Sequence, residues 1–235
     1  MKLKKNNRLI YLFYFAFLCL SYYKTYSQKS EFGNWFIYYG NQPINKKWSW
    51  WNEVQYRNYN LAGDLEQLML RTGIGYNLTE NNNNILLGFA HVISEPYING
   101  TINKISFTEN RIYQQFINRQ NFGKIFIQHR YRLEERFLPT DFRVRFRYFL
   151  SLNIPFNNKI ITKNTLYASA YNELFLNLNS PVFDRNRVYL ALGYGINKYL
   201  RVETGLMYQL FENRNRPQFQ LVLFNSIPYL QKKSK

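Results

Sequence analysis

Arginine recurs at alternate positions in two successive stretches of this chain. The first is Arg130, Arg132 and Arg136 around Glu134, and the second is Arg143, Arg145 and Arg147. In an extended strand, residues two apart point the same way. Guanidinium groups so aligned do one of two things: they pair bidentately with carboxylates, or they hold oxyanions. The same parity gathers Glu53 with Arg57, Arg71, Glu109 with Arg111, Glu173, Arg187, and Arg201 with Glu203. These sixteen residues form the candidate site, a charge network on the interior face of a sheet. Its first role is structural, a ladder of ion pairs filling a narrow barrel. Its second is a positive lumen that favours anionic solutes.

Other chemistries have weaker support. Past the leader, histidine occurs only at His91 and His129, and the parity of His129 is opposite that of the arginines. A lipid-cleaving serine activated by histidine has only nominal nucleophiles in Ser106, Ser151 and Ser169, and no spacing selects one. No catalytic residue, cofactor or metal site is assigned, because a metal centre needs clustered ligands. Basic residues interleaved with aromatics also suit nucleic acid, but an export signal argues against that partner.

The elements that must position these charges are strands. Period two runs through 33–41, 47–58, 66–77, 84–94, 106–119, 123–136, 141–154, 163–178, 186–197, 199–212 and 217–226. Most segments reach ten residues, the length of a tilted membrane-crossing strand and longer than the five or so usual in soluble proteins. Asn, Gly, Pro and Asp mark the connections, and no proline lies beyond the first residue of a proposed strand. Eleven is an odd number, whereas single-chain bacterial barrels are even-numbered. The expectation is therefore ten or twelve strands, with the error sought near Trp35–Tyr39 or between Pro96 and Thr108.

Opposite the charges lie apolar faces: Trp48, Trp50, Val54 and Tyr56; Leu68, Leu70, Ile74 and Tyr76; Val188, Leu190, Leu192 and Tyr194; Leu200, Val202, Leu206 and Tyr208. Trp48, Trp50, Tyr56, Tyr131, Tyr194, Tyr208, Phe224 and Tyr229 are candidates for two aromatic girdles at membrane boundaries. Gly73, Gly75, Gly193, Gly195 and Gly205 share the charged face and leave room for long side chains.

The chain opens with Lys2, Lys4, Lys5 and Arg8 followed by an apolar run from Leu9 to Leu20, the pattern of a secretory signal. Residues 1–27 are read as a signal peptide, and 28–235 as a single barrel domain. Removing the leader takes away five basic residues and the only cysteine, and lowers the formal charge from +17 to +12. The mature chain then has no disulfide chemistry.

Several motifs in order resemble a known family. They are Trp35 near the mature start, Glu53-x-Gln55-x-Arg57, Leu70-Arg71-x-Gly73-x-Gly75-Tyr76, Glu109-x-Arg111 with Gln114-Gln115, Arg130-x-Arg132-x-Glu134-x-Arg136, Phe142-Arg143-x-Arg145-x-Arg147-Tyr148, Asn172-Glu173-x-Phe175-x-Asn177, and Phe183-Asp184-x-Asn186-Arg187 leading to Gly193-Tyr194. Together they resemble the exported family called domain of unknown function 2490. The resemblance implies an outer-membrane β-barrel of a Gram-negative cell and brings no activity, cofactor or catalytic residue with it.

The sequence thus predicts an all-β, antiparallel transmembrane barrel of about 10–12 strands with an arginine-rich interior. It is expected as a monomer in the outer membrane, in contact with outer-membrane lipid and inserted by the barrel-assembly machinery. The expected role is structural or that of a porin-like small-solute pore. The alternatives are a membrane-embedded enzyme acting on lipids and a soluble exported lipid-binding β-protein that buries its apolar faces around the ligand.

Overall fold

Alternation on this scale leaves a strand one polar and one apolar face, and closing the sheet on itself satisfies every strand edge. The computed structural model describes residues 32–80 and 82–229; the signal peptide expected over 1–27 lies outside them. Eleven strands form a closed barrel in sequence order: β1 (Gly33–Pro43), β2 (Trp48–Asn58), β3 (Leu65–Asn77), β4 (Asn83–Ser94), β5 (Phe107–Phe122), β6 (Ile125–Phe137), β7 (Phe142–Pro155), β8 (Thr165–Asn177), β9 (Phe183–Gly195), β10 (Leu200–Leu210) and β11 (Asn215–Asn225). They run from 11 to 16 residues. Eleven residues tilted as in known barrels rise about 28 Å, against an apolar band roughly 25 Å tall in outer-membrane barrels.

The expectation of ten or twelve strands is corrected here. All neighbours are antiparallel except at the closure, where Gly33–Gly40 of β1 pairs in parallel with Gln218–Asn225 of β11. A meander with an odd number of strands brings its first and last strands together in the same direction, so the parallel seam follows from the count. The barrel therefore starts at one rim, called here the N-terminal rim, and ends at the other, the C-terminal rim. The suspected error near Trp35 is a true strand, and 95–106 is a connection containing one isolated bridge, Tyr97 to Lys104. Pro217 is the third residue of β11 rather than its start, and it pairs with Tyr208 of β10. Pairing with β1 begins one residue later, so the missing N–H falls where no partner strand is yet present.

At the N-terminal rim the connection 95–106 is tied to 59–64. Asp64 forms an ion pair with Lys104 and accepts a hydrogen bond from the Tyr97 hydroxyl at 2.7 Å. That bond raises the Tyr97 phenol above its ordinary value.

Parity sorts the wall as expected. Val54, Leu70, Ile74, Leu87, Leu190, Leu192 and Leu206 are exposed on the outside, while the charged positions turn inward. Near the C-terminal rim the outer face carries Trp48 against Tyr76 and Trp50 against Tyr229. Near the other rim it carries Phe137 against Phe142, with Tyr56 and Tyr208. Two girdle candidates are misplaced. Phe224 packs inside with Tyr39 and Val222, because its parity in β11 is that of Gln218 and Gln220. Tyr131 sits at mid-strand, stacked with Phe116 and tilted against Tyr148.

Inward glycines make room for rings. Tyr167 is paired across strands with Gly193, and a Cβ on that glycine would overlap the phenol ring. Gly88 is matched in the same way with Tyr113. Gly193→Val is expected to displace Tyr167, break its 2.9 Å hydrogen bond to Glu203 and cost about 1–3 kcal/mol by overpacking. A urea titration of the folded barrel checks this; an unchanged midpoint would mean that the ring can swing aside freely.

Candidate functional site

Inside the barrel, Glu134 on β6 is the hub. Its carboxylate meets Arg145 at 2.7 Å, Arg132 at 3.4 Å and Arg111 at 3.9 Å, and is also bonded by Arg147. Arg147 bridges on to Glu173 of β8, which Arg130 reaches at 2.7 Å and Arg187 at 3.6 Å. Glu109 is gripped bidentately from both sides. Arg111 bonds it at 2.7 and 3.0 Å, and Arg136 across the β5–β6 pair does the same. Glu53 binds Arg71 at 2.8 Å. Some contacts join residues two apart on one strand, as in Arg111–Glu109 and Arg132–Glu134, others join neighbouring strands, and Arg130 reaches across β7 to Glu173. Where the fork is bidentate, guanidinium and carboxylate meet through parallel hydrogen bonds.

Arginine outnumbers carboxylate, and the surplus is held by amides and rings. Arg132 donates to Gln115 at 2.6 and 3.0 Å and lies over Tyr113 at 4.3 Å. Arg57 uses Gln55 and Gln67 and stacks 3.8 Å over Trp35. Phe175 is flanked by Arg145, Arg147 and Arg187 at 5.2, 4.5 and 4.5 Å. The negative face of an aromatic ring shares the cation's charge, for Arg57 over Trp35 in place of a carboxylate and for the three arginines around Phe175 in addition to one.

Of the sixteen predicted residues, twelve belong to this packed network through ion pairs: Glu53, Arg71, Glu109, Arg111, Arg130, Arg132, Glu134, Arg136, Arg145, Arg147, Glu173 and Arg187. Arg57 joins it through Gln55, which also bonds Glu53. Arg143 does not. It stands exposed at the N-terminal rim and pairs with Asp141 at 2.6 Å, holding that carboxyl below its usual range. Arg201 and Glu203 face inward but lie apart, toward the C-terminal rim. Gln55, Gln115 and Gln209, inward by parity, hold Arg57, Arg132 and Arg187. Sequence reading missed Arg119, although its parity is the same. It also left out Asp184, which holds Arg145 at 2.8 Å, because β9 begins three residues before the proposed strand.

Glu134 is 0% exposed and Arg132 1%, so both are packed away from solvent inside the lumen. Toward the C-terminal rim it widens into a cavity of about 500 Å³ whose deepest lining includes Trp35, Arg57, Arg71, Arg147 and Arg187. We call this the vestibule. Ser151 and Ser169 line it, while His129 bonds Tyr148 at 2.9 Å and His91 bonds Asn110 at 2.8 Å. His129 has outward parity, so those serines and that histidine sit on opposite faces of the wall. Among the described residues no group of three His, Cys, Asp or Glu side chains is placed to hold a metal ion.

The fold and its interior define a class: a closed β-barrel with an apolar, aromatic-rimmed outside and an ion-paired inside. The family model described as protein of unknown function (DUF2490) matches residues 32–220. The chain belongs to that family, as the motifs had indicated. No curated protein and no solved structure matches it.

Proposed function

We propose that the chain is an outer-membrane β-barrel with a structural role, its lumen blocked by the arginine–carboxylate network and open at one rim as a small-solute vestibule. The observation that carries this reading is the inverted distribution of side chains: leucines and girdling tryptophans outside, Glu134 and its arginines inside. Water on the outside would make that wall a large exposed apolar patch, whereas hydrocarbon solvates it and requires just such a closed sheet. The alternative of a soluble protein folded around a lipid needs the opposite faces inward, and the sheet is not turned that way. A resting, conducting pore is less well supported than a blocked barrel, because Glu134 and Arg132 are packed away from solvent.

Fractionation of expressing cells, with gel electrophoresis of the membrane extract before and after boiling, tests the placement. The expected result is recovery in the outer membrane as a band that shifts on heating. Recovery in the soluble periplasm would overturn the reading. In planar bilayers the same protein should pass no steady current, and a stable open channel would restore the pore.

A further inference from the structure

The vestibule is chemically lopsided. Along the closure seam its wall is aromatic: Tyr39 lies 5.6 Å from Trp51 and 5.3 Å from Phe224 between ring centres, a continuous strip of three rings. The side formed by β5 to β7 carries Arg119, Gln128, Arg130 and Ser151. Eight cationic side chains line the cavity against two carboxylates, Glu173 and Glu203. Glu173 is already occupied by three arginines, and Glu203 accepts from Tyr167.

Three of the cations stand at the mouth, Lys198 in the β9–β10 connection among them. Arg119 on β5 and Arg201 on β10 lie on opposite sides of the ring of eleven strands. Arg119 donates to the side-chain oxygen of Gln128 at 3.1 Å. Arg201 lies 4.2 Å over Phe224, at the end of the aromatic strip, and its Nε is buried without a hydrogen-bond partner in the protein. The same holds for Nε of Arg71 and Arg130, Nε1 of Trp35 and Trp51, and Nε2 of Gln220, all lining this cavity. Arg71 and Gln220 are more than nine-tenths buried. Asn153 Oδ1 and the Tyr189 hydroxyl are also unpaired in this lining, so donors predominate around the cavity, and its surface carries positive charge that its two carboxylates do not offset.

We infer that the vestibule is a binding site for a small, water-soluble organic anion with a flat apolar body. Its oxyanion lies between Arg119 and Arg201, and its body lies against Tyr39, Trp51 and Phe224. A volume of about 500 Å³ is in the range of sites that enclose one small molecule. The cavity opens at the rim rather than through the wall, so the ligand arrives from water. This deepens the reading above and rests on it for the closed floor that stops the ligand inside.

The test is titration of the full chain, folded in a non-ionic detergent and showing the heat shift, with 1-naphthyl phosphate. Calorimetry and tryptophan fluorescence report binding, with micelle-only blanks subtracted. Saturable one-to-one binding is expected, at least tenfold tighter than that of 1-naphthol or inorganic phosphate and weakening with added salt. Arg119→Gln combined with Arg201→Gln should lower affinity at least tenfold. If the double variant does not fold, Arg119→Gln alone, which gives up only the Gln128 bond, should still lower it severalfold. Absence of saturable binding by the heat-shifting barrel would overturn the inference, as would undiminished binding by the variants. Inorganic phosphate binding as tightly as the ester would remove the aromatic half of it. Recovery of the chain as a soluble protein would overturn the membrane reading alone and leave the binding result standing.

Discussion

Glu134→Gln is expected to destabilise the barrel by about 3–5 kcal/mol, the cost of leaving buried charge without its partner. The substitution keeps the size and one acceptor oxygen of the side chain, so packing changes little. What it removes is the negative charge that Arg111, Arg132, Arg145 and Arg147 share, each with a side chain no more than 5% exposed. Arginine does not escape by releasing a proton, since its intrinsic basicity is too high, so the four guanidiniums repel one another inside the wall. Urea titration in lipid vesicles reads the loss, and Asp141→Asn serves as control, because its pair with Arg143 is exposed at the rim and screened by water. Replacing Arg132 by Met in the Glu134→Gln background should recover part of the stability, because Arg132 alone of the four has no second carboxylate and is the cation left stranded. A Glu134→Gln barrel as stable as the parent would mean that the rings and amides alone carry the arginines.

That hub also shows what the sequence could and could not reveal. Arg143, Arg145 and Arg147 share a parity, and parity alone put all three inside. It carries no information about height along the barrel, so it could not show that Arg143 clears the rim while Arg145 and Arg147 are buried. Pairing depends on the register of adjacent strands, such as Glu134 opposite Arg145 and Glu173 opposite Arg187, and register was not in the pattern of any one strand. In β4 both faces are apolar: Leu86, Ala90 and Val92 pack inside with Met69 and Tyr113, while Leu87 and Phe89 face out. Alternation is silent there, and the inner apolar cluster was missed. The strand count was read correctly as eleven and then discounted, because the even-number rule assumes that both termini lie at one rim. The rings that share arginine charge, Phe175 above all, looked like ordinary strand aromatics until the cations were placed around them.

The exterior provides the second large effect. Leu190 lies near the middle of β9, outward and 66% exposed, beside Ala170 and Leu206 on the neighbouring strands. If hydrocarbon surrounds it, Leu190→Arg places a guanidinium near the bilayer midplane and should cost about 2–4 kcal/mol. In water the same change replaces an exposed leucine with a charge and should leave stability nearly unaltered. Leu178→Arg, in the β8–β9 connection at the N-terminal rim, is the matched comparison and should cost about 0–1 kcal/mol, because the penalty falls away toward the interface. Reversible urea unfolding from phospholipid vesicles measures both against the parent. A large penalty for Leu190→Arg with a small one for Leu178→Arg would map the bilayer onto the outer wall, since a depth-dependent solvent separates two Leu→Arg changes at exposed positions. Equal and small penalties would put water against the whole wall, and the ion-paired interior would then belong to a soluble barrel that must cover its leucines in some other way.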